Sequence, residues 1–198
     1  MKPYHKIKRL GDFLLSGIGI IILLPLLLAL SIIIKIESPG PVFFKQKRIG
    51  KNKSTFMIYK FRTMRIDTPK DMPTHMLEDP EKYITKSGRI LRRTSLDELP
   101  QIFNIIKGEM SIVGPRPALW NQDDLIMERD LYNANSILPG LTGWAQVNGR
   151  DELPIPVKAK FDGYYLDHCG FILDFKIFCY TIRNVIKSKG VIEGKNEK

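Results

Sequence analysis

Charged and apolar positions separate sharply at the start of the chain. "FLLSGIGIIILLPLLLALSIII", residues 13–34, carries no charged side chain and has Pro25 near its middle. A helix of about 22 residues rises roughly 33 Å, enough for a hydrocarbon core of about 30 Å. Apolar side chains occupy nearly every face, the pattern of a helix buried in lipid rather than packed on one side of a soluble core. Lys2, Lys6, Lys8 and Arg9 precede the run like the start of a cleaved leader, but the stretch is too long and no small-residue cleavage site follows.

Two features favour re-entry over spanning. Pro25 removes a helical hydrogen bond and clashes with the preceding turn. Basic residues flank both ends, with Lys35, Lys45, Lys47, Arg48, Lys51 and Lys53 after the run, which places both flanks in the cytoplasm. Two arms of about 12 residues reach roughly 18 Å each, so a bent hairpin dips into one leaflet and returns. A proline kink in an ordinary spanning helix is the alternative.

Beyond the run the pattern shortens. "ESPGPVFFKQKRIGKN" predicts a turn and an extended basic segment, and "FMIYKFRTM" a strand with Lys60 and Arg62 on one face. "RIDTPKDMPTHMLEDPEKYITKSG" reads as a loop with at most a short helix. "LPQIFNIIKG" predicts a helix stopped by Gly108. "EMSIVGPRPAL" predicts a short strand into a rigid Pro-Arg-Pro turn, and "NQDDLIMERDLYNANSI" an amphipathic helix. "LPGLTGWAQVNGR" reads as glycine-punctuated strand and turn. "PVKAKFDGYYLDH" and residues 171–188 predict two more helices, the second apolar on one face and able to lie along a membrane interface.

After the run, roughly 160 of the 198 residues remain, one ordinary domain. Lys and Arg number 31 against 21 Asp and Glu, a net charge of +10 that suits an anionic partner. Cys169 and Cys179 are ten apart with no metal spacing, which reads as two buried reduced thiols, and the three histidines are scattered.

"RRTSLDELPQ" is the sharpest stretch. Ser95 and Glu98 have capping-box spacing; alternatively Pro100 opens the helix and the acids precede it. Both readings put Asp97 and Glu98 beside a helix N-terminus, near Arg92 and Arg93, where unpaired N–H groups and guanidinium forks suit phosphate. An aspartate there stays ionised and can attack phosphorus, and a neighbouring carboxylate can bind a divalent ion. Arg116, between Pro115 and Pro117, has a preset backbone for a second phosphate contact or for an ordinary surface turn. Gln146, Asn148 and Arg150 suit either nucleotide binding or turn closure. No Walker glycine loop is present.

"YKFRTM", "RRTSLDELPQIFNIIKGEMSIVGPRPA" and "LPGLTGWAQVNGR", in this order behind a proline-interrupted apolar run, resemble the bacterial sugar transferases. These are the small monotopic polyprenyl-phosphate phosphoglycosyl transferases, and the likeness covers nearly the whole chain. It implies an α+β, mostly helical fold: a re-entrant membrane helix-break-helix over residues 1–36, then a compact cytosolic catalytic domain over 37–198 with short strands and interfacial amphipathic helices. It also implies a monotopic protein on the cytoplasmic face of the bacterial inner membrane. In the implied reaction Asp97 attacks the β-phosphate of a UDP-sugar and releases UMP. The held phosphosugar then passes to polyprenyl (undecaprenyl) phosphate, the first membrane step of capsule, exopolysaccharide or glycoprotein glycan assembly. Glu98 matches the partner acid, with Mg²⁺ bound by Asp97 and Glu98. Arg92 and Arg116 match phosphate- and nucleotide-contacting positions, with Lys60, Arg62, Gln146 and Arg150 as weaker matches. Implied partners are the two substrates and anionic phospholipid, with no nucleic acid; a homodimer is one assembly open to it. The family pattern has Ser before the helix-breaking proline, where this chain has Leu24. A lipid-binding module without turnover, or an enzyme that moves the sugar alone and releases UDP, are the rival readings.

Overall fold

The computed structural model describes residues 3–68, 80–149 and 153–186. The apolar run lies inside a longer helix, α1 (Pro3–Glu37), of 35 residues. It begins well before the run because the charges there have partners in the rest of the fold. Lys8 and Tyr4 both donate to Asp174 Oδ2, at 2.6 and 2.7 Å. Asp12 accepts from Ser111 Oγ at 2.7 Å and from the Ile112 N–H at 3.2 Å. Arg9 donates to the carbonyls of Ile105 and Ile106 at 2.6 and 2.9 Å. Those two carbonyls sit in the last turn of α3 (Ile102–Lys107), where helical donors run out; Ile105 also accepts from the Gly108 N–H at 3.0 Å.

The break expected at Pro25 is absent. His5, Lys8, Asp12, Ser16, Gly19, Leu23, Leu27, Leu30 and Ile34 are buried or half-buried at steps of three and four, one face of one helix. This stripe keeps its phase through Pro25, which is exposed on the opposite side together with Leu24. Leu23 and Leu27, on either side of the proline, pack in one cluster with Ile34, Phe61, Leu91, Leu96 and Leu99. Packing on a common surface therefore holds both halves of the helix in register, and the proline's missing N–H falls on the outer face. Gly19 lets α3 come close, since a Cβ there would lie 2.9 Å from Ile102 Cδ1.

The remainder is α+β and mostly helical, as the resemblance implies, with two small sheets. Strands β1 (Phe43–Ile49) and β2 (Thr55–Phe61) form an antiparallel hairpin in which Phe43 faces Phe61 and Ile49 faces Thr55. Phe56 and Ile58 of β2 pack on Ile105 and Met110, seating α3 against the hairpin. Much of the loop reading that follows, residues 69–79, lies outside the described residues. Its end carries the short helix that reading allowed: α2 (Lys86–Arg93) starts where the Thr85 side chain accepts from the Gly88 N–H at 3.0 Å, a cap that precedes no long apolar pattern.

The short strands β3 (Ser111–Val113) and β4 (Gly140–Thr142) pair in parallel. Their approach requires glycine, because a Cβ on Gly140 would fall 2.1 Å from the Gly114 nitrogen. Between them α4 (Asp123–Asp130) is shorter than its pattern predicts, and Asn133, at φ 53°, lies in the left-handed region that ends it. Where strand and turn were expected after β4, a single helical turn forms, α5 (Trp144–Val147). The last helices, α6 (Ile155–His168) and α7 (Phe171–Ile186), match their patterns. Val113, Tyr165, Cys169 and Ile177 tie β3 to both. Phe171, Phe175, Phe178, Ile182 and Val185 form an outward apolar stripe on α7. Cys169 is buried as expected, but Cys179 is exposed on α7, because the helix buries Ile177 rather than its neighbour two residues on.

Candidate active site

At the end of α2 the chain reverses through Ser95, which adopts φ 57°, and enters a 3₁₀ turn, Leu96–Gln101, that runs straight into α3. Leu96 and Leu99, three apart and so on one side of such a turn, pack against α1. Asp97 and Glu98 are carried on the side that meets β2. The capping-box reading is overturned here, since the Ser95 side chain caps no helical N–H. Glu98 Oε1 instead accepts from Lys60 Nζ at 2.8 Å and from Arg116 Nη2 at 2.9 Å.

Asp97 differs from its neighbour. Its carboxylate lies 4.0 Å from Lys60 Nζ, and it accepts no hydrogen bond from the described residues. Its cationic neighbours alone suggest an ordinary ionised acid, but burial acts against them. Burial is the largest influence and pushes the carboxyl above its usual value; Lys60 opposes the rise, the adjacent Glu98 charge adds to it, and Arg92 and Arg116 oppose it. Asp97 is thus a desolvated carboxyl with uncommitted lone pairs, faced by three cations. That is the environment of a nucleophile for an anionic centre. A Mg²⁺ ion takes one or two carboxylates and completes its shell with phosphate oxygens and water. The Asp97–Glu98 pair fits that demand, and no third acid, histidine or cysteine joins it among the described residues.

The structure gathers Lys60, Arg92 and Arg116 at the pair. Arg92 is oriented by a 2.9 Å bond from its Nε to Thr63 Oγ1. Two other expected contacts are committed elsewhere. Arg62 is buried and donates to the carbonyls of Ser38 and Pro39 at 2.6 and 2.9 Å, holding the turn after α1. Gln146 donates to the Leu141 carbonyl at 3.1 Å, inside its own loop. Arg150 lies outside the described residues. Sequence reasoning missed Gln101, which is 2% exposed and lies among Lys60, Arg48 and Arg116. It also missed Arg129 and Asp162, a buried ion pair. A signal for the latter exists in α6, where Asp162 shares a buried face with Ala159 and Tyr165, because a carboxylate on such a face needs a cation.

Comparison with known proteins adds an independent line. A family model described as bacterial sugar transferase matches residues 3–188. The chain is 40% identical over 190 residues to an uncharacterized sugar transferase, EpsL, of Bacillus subtilis, covering 93% of this chain and 90% of that one. It is 38% identical over 192 residues to the UDP-N-acetylgalactosamine-undecaprenyl-phosphate N-acetylgalactosaminephosphotransferase of Aeromonas hydrophila, covering 94% of this chain and 45% of the relative. It is 40% identical over 189 residues to the UDP-glucose:undecaprenyl-phosphate glucose-1-phosphate transferase of Xanthomonas campestris pv. campestris, covering 92% of this chain and 39% of that protein. The chain therefore spans less than half of the two relatives named for a reaction.

Proposed function

This chain belongs to the bacterial sugar transferase family, and we propose that it transfers a phosphosugar from a UDP-sugar to polyprenyl phosphate, releasing UMP. The observation that carries this reading is Asp97, half-buried and without hydrogen-bond donors among the described residues, beside Glu98 and within the field of Lys60, Arg92 and Arg116. An Asp97 oxygen attacks the β-phosphorus, the bond to the bridging oxygen breaks, and UMP leaves with that electron pair. A phosphate oxygen of the polyprenyl acceptor then attacks the same phosphorus. The polyprenyl-diphosphate-linked sugar forms and the Asp97 carboxylate is regenerated.

Lys60 and Arg116 hold Glu98 in place and face the incoming phosphates. Arg92 adds positive charge beside the attacking carboxylate. Asp97 and Glu98 would hold Mg²⁺, which when bound offsets repulsion between a carboxylate and an anionic phosphate. Two relatives are named for different donors, so the assay is a panel of UDP-sugars with undecaprenyl phosphate. UMP release and an intact-mass adduct mapped to Asp97 are expected. Release of UDP would mean transfer of the sugar alone, and salt-sensitive lipid binding without turnover would mean a binding module.

The substrates also require a site at the cytoplasmic membrane face, where a soluble nucleotide sugar meets a lipid-bound acceptor. Both ends of α1 are tied to the domain that carries the pair. At the start Tyr4 and Lys8 bond Asp174; at the end Glu37 accepts from Lys86 N at 2.7 Å and from Ser87. A helix unbroken at Pro25 and anchored this way at both ends supports a monotopic placement in the bacterial inner membrane that needs no hairpin, its outer face and the α7 stripe meeting lipid. A Lys6→Cys probe in a Cys169→Ser, Cys179→Ser background should resist an impermeant thiol reagent in intact cells. Labelling from outside would mean a spanning helix.

A further inference from the structure

Arg116 reaches Glu98 from a turn that cannot hold itself. Pro115 and Pro117 have no N–H to donate, so the turn is fixed through its carbonyls, caught by β4, β1 and α4. The Pro115 carbonyl accepts from Gly140 N of β4 at 2.8 Å and the Ala118 carbonyl from Ile49 N of β1 at 3.0 Å. The Pro117 carbonyl accepts from Arg48 Nη1 at 3.1 Å. The carbonyl of Arg116 itself accepts from Arg129 Nη2 at 2.9 Å.

Arg129 comes from α4 and is locked by Asp162 of α6. Its Nε donates to Asp162 Oδ2 at 2.8 Å, its Nη2 lies 2.6 Å from the same oxygen, and the two side chains are 6% and 1% exposed. Burial pushes the Asp162 carboxyl up and Arg129 opposes the rise. A buried ion pair is a weak source of stability, since desolvation offsets its attraction, and apolar replacements of similar volume are often neutral or better. The geometry does something that an apolar pair cannot: one guanidinium fork grips a carboxylate on one side and the Arg116 backbone on the other.

We propose that Arg129, held by Asp162, is a positioning residue that sets the Pro-Arg-Pro turn and so delivers the Arg116 guanidinium to the Asp97–Glu98 site. The inference rests on the reaction read above, and its test separates the two. If the wild-type chain releases no UMP from any UDP-sugar, the reaction is wrong whatever the variants do.

With an active donor in hand, two changes are made in the purified full chain. Arg129→Lys keeps a cation for Asp162 but not the two-sided fork. The pair Arg129→Met, Asp162→Leu removes the charges and the bond to Arg116 together while keeping the volume filled. Each should unfold within a few degrees of wild type and lose about ten- to a hundredfold in kcat/KM for UMP release, the scale of a misplaced catalytic contact. In an Arg116→Ala background neither should cause further loss, because the residue acts only through Arg116. Equal losses in both backgrounds, or full activity in the folded pair variant, would overturn the proposal. So would unfolding of both variants, which would make the pair a structural element alone.

Discussion

Asp174, in the first turn of α7, accepts from Tyr4, Lys8 and Tyr165 at 2.6 to 2.7 Å, whereas Asp97, on the turn before α3, accepts from none of the described residues. Both are largely buried and each has a lysine nearby. Around Asp174 the donors match the lone pairs, and the cluster joins the start of α1 to β3, α6 and α7. Burial and the Asp174 charge push the Tyr165 phenol far above its usual value, so it remains a donor at any ordinary pH. Around Asp97 the cations stand back. The first arrangement fastens elements together; the second leaves a carboxylate with open lone pairs, as the proposed reaction requires. Desolvating a charge without satisfying it destabilises the fold, and that is tolerated where the charge has work to do.

The largest expected effect comes from removing the unsatisfied charge. Asp97→Asn should lower UMP release by at least about 10⁴-fold, as loss of a nucleophile does, without lowering Tm. The pH dependence follows from the raised carboxyl. The folded chain holds this proton to higher pH than the unfolded chain, so wild-type stability falls as pH rises through the window between the two values. Wild type and Asp97→Asn should therefore unfold together in acid and diverge toward neutral pH, with the variant the more stable. An Asp97→Asn protein less stable at neutral pH would erase the contrast with Asp174.

The opposite change sharpens it. Asp174→Ala should destabilise by roughly 3 kcal/mol, because it removes the shared acceptor of Tyr4, Lys8 and Tyr165 and leaves Lys8 only Asp12 at 4.0 Å, and thermal unfolding in detergent reads the loss. An intermediate effect is expected from Glu98→Gln: turnover about a hundredfold lower, on the scale of one lost electrostatic contact, with the fold kept. Near-normal turnover across a range of Mg²⁺ concentrations would return Glu98 to a purely structural role. The smallest effect is Tyr165→Phe, which removes bonds to Asp174 Oδ1 and the Val113 carbonyl. It should lower stability by about 1 to 2 kcal/mol and leave kcat/KM unchanged.

Local pattern made much of this legible. The acids beside a helix start, the proline-clamped Arg116 and the helices over α3, α6 and α7 are all written in spacings of a few residues. Lys60 and Arg62 mark where such reading ends. They share a strand parity, yet Lys60 bonds Glu98 while Arg62, one residue past the end of β2, turns to the carbonyls of Ser38 and Pro39. Pro25 is a second case: its local chemistry predicts a break, and packing across Leu23 and Leu27 overrides it. The Arg129–Asp162 pair, 33 residues apart, depends on how two helices meet. Nor does an apolar pattern reveal that Lys8 and Asp12 belong to a helix docked on protein.

That docking sets an order of events during synthesis. Tyr4 and Lys8 meet a residue more than 160 positions later, and Asp12 meets Ser111 after 99. At about 5 to 20 residues per second, the start of α1 emerges roughly 10 to 35 s before Asp174 exists. Throughout that interval its apolar faces are bare and its charged residues lack their partners. In the proposed membrane placement the bilayer would shelter the outer face of this helix during that interval, and the domain would be assembled on a helix already in place.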